Sequence, residues 1–93
     1  MAKKDNIVIP ADPGDLEDFD VTAEALEQGQ RARLVRNTRA KLGLSQPAFA
    51  ARFHVPVGTL RDWEQARVMV PDFAIAYIRV IGACPDVVAA AVA

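Results

Sequence analysis

The sequence has few of the side chains from which enzyme active sites are commonly built. Its one serine, Ser45, stands where a helix cap is expected. Its one histidine, His54, has no second histidine or paired cysteine with which to bind a metal ion. No glycine-rich phosphate loop and no nucleophile–base pair is present. The sequence therefore predicts that the protein is not an enzyme and uses no metal or other cofactor.

Cysteine and long apolar runs are also scarce. The single cysteine, Cys84, excludes a disulfide bond within the chain, which fits a reducing cytoplasm. We expect Cys84 to be a buried structural thiol. No run of about 18 apolar residues is present, and residues 1–10 lack the apolar core of a signal peptide. We therefore expect a cytoplasmic protein with no membrane partner.

The net charge of −1 conceals two segments of opposite charge. Residues 1–30 carry two lysines and eight acidic residues, whereas residues 31–93 carry nine basic and four acidic residues. A basic segment suits phosphate groups, and an acidic one does not. We therefore divide the chain into an acidic N-terminal arm, residues 1–30, and a basic domain, residues 31–93. The arm is either a partner-binding segment or a solvated tail.

Local patterns predict an all-α fold with five helices in the basic domain. Prolines and acidic residues predict a flexible or extended arm, with a short helix from Asp20 or Thr22 to about Gln28. A first core helix spans residues 31–42 and stops at Gly43. Residues 44–67 follow, then a loop at 67–71 and an apolar helix at 72–82. A last helix begins at Pro85.

Residues 44–67 are the most informative segment, because they read as two short helices joined by a tight turn. Ser45 is placed to cap the first helix, and Pro47 falls in its first turn. The apolar positions that should face the core are Phe49, Ala50, Phe53, Leu60 and Trp63. The opposite face of the second helix carries Gly58, Arg61, Asp62 and Gln65. This pattern indicates a helix-turn-helix that binds DNA, although any helical hairpin shares its spacing.

The residue types resemble a known family. The matching segments are Leu44-Ser45-Gln46, Phe49-Ala50, Val55-Pro56, Thr59-Leu60 and Trp63-Glu64-Gln65. They are similar to the Xre/Cro–C1 family of helix-turn-helix regulators, and most similar to HigA-type antitoxins of toxin–antitoxin operons. The resemblance covers residues 31–83 and implies a lambda-repressor-like domain that binds operator DNA. It is specific for DNA binding and less specific for the antitoxin role.

The resemblance also implies which residues contact DNA. Gln46 would clamp a phosphate, and residues 57, 58 and 62 would face base edges. Arg61 can contact guanine or a phosphate, whereas Asp62 can accept from cytosine or orient Arg61 or Arg67. Arg31 and Arg33 are further candidates for phosphate contacts. The predicted DNA-binding set is Gln46, Val57, Gly58, Thr59, Arg61, Asp62, Arg36, Arg52 and Arg67.

Three further expectations follow from the resemblance. Arg39 on the first core helix should form an ion pair with Glu64, which ends the recognition helix. His54 replaces a turn glycine, and histidine tolerates the left-handed conformation with some strain. Ala66 replaces the glycine that usually follows Trp-Glu-Xaa, so we expect a looser or extended helix end there.

The partners are expected to be double-stranded operator DNA and a second copy of the chain. The two apolar C-terminal helices either close the core of one chain or form a homodimer interface. The predicted interface residues are Phe73, Ile75, Tyr77, Ile78, Ile81, Val87 and Val88. By family analogy, the arm would bind a basic ribonuclease toxin. The alternatives are a stand-alone repressor without a toxin, or a protein-binding adaptor that has lost DNA affinity.

Overall fold

The computed structural model describes residues 22–93, which form five helices around one core. The helices are α1 (Ala23–Leu42), α2 (Gln46–Phe53), α3 (Val57–Glu64), α4 (Asp72–Ala83) and α5 (Pro85–Val92). The described residues contain no strand, so the predicted all-α class with five helices is confirmed. The prediction of a flexible or extended stretch concerns residues 1–19, which lie outside the described part, whereas residues 23–30 of the arm form the start of α1.

Helix α1 is longer than the sequence predicted. The two helices expected at about 22–28 and at 31–42 are one continuous helix, and this prediction was wrong. A single glycine, Gly29, costs a helix only about 1 kcal/mol. Two contacts hold the chain helical around it: Gln28 Nε2 donates to the Ala66 carbonyl oxygen, and Arg31 Nη1 donates to that of Val70 at 2.6 Å. The Thr22 hydroxyl caps the helix by accepting from Ala25 N at 3.0 Å.

The helix-turn-helix forms as predicted. The Ser45 hydroxyl accepts from Ala48 N at 3.2 Å, and helix α2 begins at Gln46. Gly43 ends α1 in the left-handed conformation, with φ of 70°. His54 ends α2 in the same conformation, with φ of 59°, which confirms the expected turn. The local signals at Gly43, Ser45 and His54 mark the ends of α1 and α2, and the Tyr77 hydroxyl also donates to the Phe53 carbonyl at the end of α2, at 2.6 Å.

The end of α3 differs from the prediction. Ala66 adopts the left-handed conformation with φ of 55°, so the helix end is neither loose nor extended. The Arg67 N–H donates to the Asp62 carbonyl at 2.9 Å, and the Ala66 N–H donates to that of Trp63 at 3.2 Å. This pair of bonds is the Schellman arrangement that usually contains glycine. The hydrogen bonds compensate the steric cost that the alanine methyl group imposes.

We expect Ala66→Gly to stabilise the protein by about 1 kcal/mol. An L-residue in the left-handed region costs roughly 1–2 kcal/mol, and part of the gain is offset by the greater freedom of glycine in the unfolded chain. Urea unfolding measures the difference. Gly58→Ala is the matched control, because Gly58 lies inside α3 without a positive φ and an added methyl group there meets open space. A loss of stability in Ala66→Gly would show that the left-handed conformation of Ala66 does not strain the folded protein.

The C-terminal helices contribute their inner faces to the core of a single chain. Ile78 and Ile81 have no exposed surface, and Val88 is also buried. These three residues were predicted at a dimer interface, and the structure corrects that prediction, because they pack against α1 and α2 residues such as Val35 and Phe53.

Cys84 is half-buried rather than buried. Among residues 22–93 no single helix is long and apolar enough to cross a membrane, although α4 and α5, bent by 118°, pass that test together.

Candidate nucleic-acid interface

The outward face of α3 is partly exposed. Gly58, Arg61 and Gln65 are exposed, and Val57, Thr59 and Asp62 are half-buried. The opposite face carries Leu60, Trp63 and Glu64, all of which are buried. Gly58 and Arg61 thus lie together with nothing of the described chain over them. This is the surface that a recognition helix needs in order to enter a groove of DNA.

A paired arginine and glutamate fix α3 against α1, as predicted. Arg39 Nε lies 2.7 Å from Glu64 Oε2, and Arg39 Nη2 lies 2.9 Å from Glu64 Oε1. The Glu64 side chain is only 4% exposed, so this two-bond pair is shielded from water. Arg39 Nη1 also donates to the Leu44 carbonyl at 3.0 Å. One side chain thus connects α1, the start of the helix-turn-helix and the end of α3.

The electrostatics of Glu64 follow from these contacts. Burial alone would raise the pKa of the Glu64 carboxyl. Hydrogen bonds from Arg39 and Gln46, together with the charges of Arg39 and Arg36, outweigh burial and hold that pKa below its ordinary value. The hydrogen bond to Glu64 raises the pKa of the Arg39 guanidinium. The pair is therefore fully ionised at neutral pH.

Gln46 lies at the start of α2, as the sequence predicted, but its side chain has a partner inside the protein. Gln46 Nε2 donates to Glu64 Oε1 at 3.0 Å. The amide is therefore held against the Glu64 carboxylate at the end of α3. This contact orients Gln46 before any ligand arrives. Its phosphate-binding role stays a prediction.

The predicted basic residues are not equivalent in the structure. Arg31 pairs with Glu27 and Asp72, at 2.6 and 2.8 Å. Arg52 pairs with Asp86 of α5 at 2.6 Å. Because carboxylates already compensate these two charges, both are weaker candidates for phosphate contacts than the arginines nearer to α3.

Three arginines remain near the ends of α3. Arg67 is 65% exposed, and its Nη1 lies 3.5 Å from Asp62 Oδ1, a long contact between two exposed side chains. The role of Asp62 stays a prediction. Arg36 Nη1 donates to the Glu64 carbonyl at 2.6 Å, a contact that the sequence analysis missed. The spacing of Arg36 and Arg39, three residues apart on one face of α1, was the available signal. Arg61 forms no ion pair with any residue in 22–93.

Comparison of the chain with protein-family models, with curated proteins and with solved structures finds no match. The described residues contain no group of three or more histidine, cysteine, aspartate or glutamate side chains that could hold a metal ion. The interpretation of the site therefore depends on the sequence motif and on the geometry around α3.

Proposed function

We propose that the chain is a sequence-specific DNA-binding transcriptional regulator in the cytoplasm, which acts as antitoxin and autorepressor of a toxin–antitoxin operon. The observation that carries the DNA-binding part is the exposed outward face of α3, held in place by the Arg39–Glu64 pair. A helix presented in this way fits the major groove, and the start of α2 would lie against the sugar–phosphate backbone.

The side chains on the outward face of α3 have different roles in the proposed DNA binding. Arg61 reads guanine or contacts a phosphate, and Thr59 contacts a base or a phosphate. Val57 and Gly58 provide little hydrogen-bonding readout, so part of the specificity comes from DNA shape. Phosphate contacts from Gln46, Arg36 and Arg67 position the protein on the DNA backbone and do not read the base sequence.

An NMR footprint tests this assignment. We expect the backbone amide of Gly58 and the side-chain amide of Gln46 to shift on titration with the DNA upstream of the gene. Gly82 is the internal control, because it packs against Thr38 at the far end of α4. Shifts confined to α4 and α5 would contradict the proposed interface.

A homodimer would present two recognition helices to two half-sites. An exposed apolar stripe runs along α4 at a spacing that suits helix pairing, and it consists of Phe73, Ala76, Val80 and Ala83. Val87 is also exposed, but it lies on α5 beyond the 118° bend. Asp72 and Arg79, seven residues apart on α4, border this stripe. Asp72 already pairs with Arg31 at 2.8 Å, but its side chain is 92% exposed. In an antiparallel pair of α4 helices it could therefore also face Arg79 of the second copy.

We expect Val80→Glu to abolish the dimer, because it places a charge in the middle of the stripe. Val80 is 48% exposed in the single chain, so the substitution should change the free energy of unfolding of that chain by less than about 0.5 kcal/mol. Sedimentation velocity gives the mass. Val68→Glu, at a comparably exposed position in the loop after α3, is the control and should remain dimeric. A dimer in Val80→Glu would contradict this interface.

The antitoxin role is supported by the charge of residues 1–30, which carry two lysines and eight acidic residues. Such a segment suits a basic partner, and the class we propose is a ribonuclease toxin. Purification together with the product of the neighbouring gene tests this part. Absence of a complex, together with absence of neutralisation, would leave a stand-alone repressor.

A further inference from the structure

A groove with a volume of about 570 Å³ lies between the first half of α1 and the C-terminal end of α3. Small or apolar residues line it, among them Ala25, Leu26, Gly29 and Ala66. Leu26 is 56% exposed there, although its side chain is large and apolar. An added methyl group at Gly29 would meet no atom within 4 Å. The groove therefore has room for a second stretch of chain close to the α1 backbone.

Two arginines give the groove its charge. Arg33 and Arg36 both line it. Arg33 is exposed and forms no ion pair with a residue in 22–93. The one carboxylate in the lining, Glu64, is already bound by Arg39. The groove thus combines an apolar floor with positive charge, and an occupant that suits it carries apolar and acidic side chains together.

The chain that precedes α1 has this chemistry. Residues 15–20 read Asp-Leu-Glu-Asp-Phe-Asp, with Leu16 and Phe19 placed among four acidic residues. This segment ends two positions before the N-cap Thr22, and the groove begins one turn later, at Ala25. The complementary segment is therefore tethered at the end of the groove.

The lengths also agree. Along α1 the groove runs from Ala25 to Arg36, which is about 16 Å at 1.5 Å per helical residue. Five extended residues span about that distance. A stretch of five residues, such as residues 15–19, is therefore long enough to span the groove.

We propose that residues 15–20 dock in this groove, pair with Arg33 and Arg36, and compete with DNA for these arginines. The competition depends on the proposed function, but docking does not depend on DNA. The docked residues 15–20 would then lower the affinity for the operator until a partner protein removes them from the groove. In this form of autoinhibition, an acidic segment of the chain takes the place of DNA phosphates at these two arginines.

Two variants of the full chain test docking. The neutral-arm variant carries Asp15→Asn, Glu17→Gln, Asp18→Asn and Asp20→Asn. The filled-groove variant, Gly29→Leu, places a side chain where the structure has open space. Asn37→Leu is the matched control, because Asn37 is exposed on α1 and does not line the groove.

The readout without DNA is the NMR signal of the Gly29 amide and of the Arg33 guanidinium. In the unaltered chain we expect both signals to move as salt rises from about 0.1 M to about 1 M, because the Debye length falls from about 10 Å to about 3 Å. They should move toward their positions in the neutral-arm variant. Independence of protein concentration would show that the occupant is not a second copy. Identical signals in the two proteins at low salt would overturn the proposal.

The readout with DNA is the dissociation constant. If residues 15–20 occupy the groove in about nine of ten molecules, the neutral-arm and filled-groove variants should bind operator DNA about tenfold more tightly than the unaltered chain. Asn37→Leu should bind like the unaltered chain. If no variant binds DNA while the Gly29 and Arg33 signals still differ, docking is supported and the proposed function fails. Equal affinities together with identical signals would overturn the autoinhibition.

Discussion

Replacing Arg39 by methionine should destabilise the protein by about 3 kcal/mol, because it leaves the Glu64 carboxylate buried without its cation. For a chain of this size, that loss lowers the melting temperature by roughly 10–20 °C at fixed protein concentration. Urea unfolding measures the difference directly. Arg61→Met, a change of the same type at an exposed position on α3, should cost less than about 0.5 kcal/mol when no DNA is present.

The pH dependence separates an electrostatic cause from lost packing. In the unaltered chain the pKa of Glu64 is lowered, so its contribution is present above the ordinary glutamate pKa of about 4.3 and is lost as pH falls through the lower folded value. Without Arg39, burial dominates and raises that pKa. The Arg39→Met variant therefore gains stability as pH falls from about 7 toward about 4, relative to the unaltered chain.

The double variant Arg39→Met with Glu64→Met completes the test. It removes both charges, so most of the lost stability should return. A stability deficit in Arg39→Met that stays constant with pH and persists in the double variant would contradict the electrostatic role. In that case the aliphatic part of Arg39 would be what holds α1 against α3.

Replacing Arg61 by alanine should weaken operator binding about 10–100-fold, which corresponds to about 1–3 kcal/mol. Arg61 is exposed on the outward face of α3, so the fold should tolerate its loss. Lys41→Ala is the control, because it removes one positive charge from an exposed position on α1 that contacts Gly82 at the far end of α4. Fluorescence anisotropy with labelled operator measures both variants.

The pattern of the loss assigns the role of Arg61. If Arg61 reads a base, the ratio of operator to non-operator affinity falls and the salt dependence changes little. If it contacts a phosphate, both affinities fall together and the slope of log K against log salt decreases by about one. An Arg61→Ala variant that binds DNA like Lys41→Ala would contradict the placement of DNA on α3.

The helix-turn-helix could be predicted because its signals are local. Ser45 and Pro47 start α2, and Gly43 and His54 adopt the left-handed conformations that end α1 and α2. The Arg39–Glu64 pair joins residues 25 positions apart, and neither propensity nor periodicity brings such residues together. That pair was expected only from the resemblance.

The predictions that were wrong depend on contacts between residues far apart in the sequence, which local signals do not reveal. The continuity of α1 depends on Gln28 reaching Ala66 and on Arg31 reaching Val70. A helix that is apolar on every side, such as α4, does not reveal which side meets its own core. The structure assigns Ile78 and Ile81 to the core and leaves Val80 exposed.

The most direct test of DNA recognition is the affinity of the purified full chain for the DNA upstream of its own gene and for a scrambled duplex of equal length, across a salt series. We expect the upstream DNA to bind about 10³-fold more tightly or better, with an affinity that falls steeply as salt rises. Equal and weak binding to both duplexes, or binding that salt leaves unchanged, would contradict sequence-specific recognition by α3.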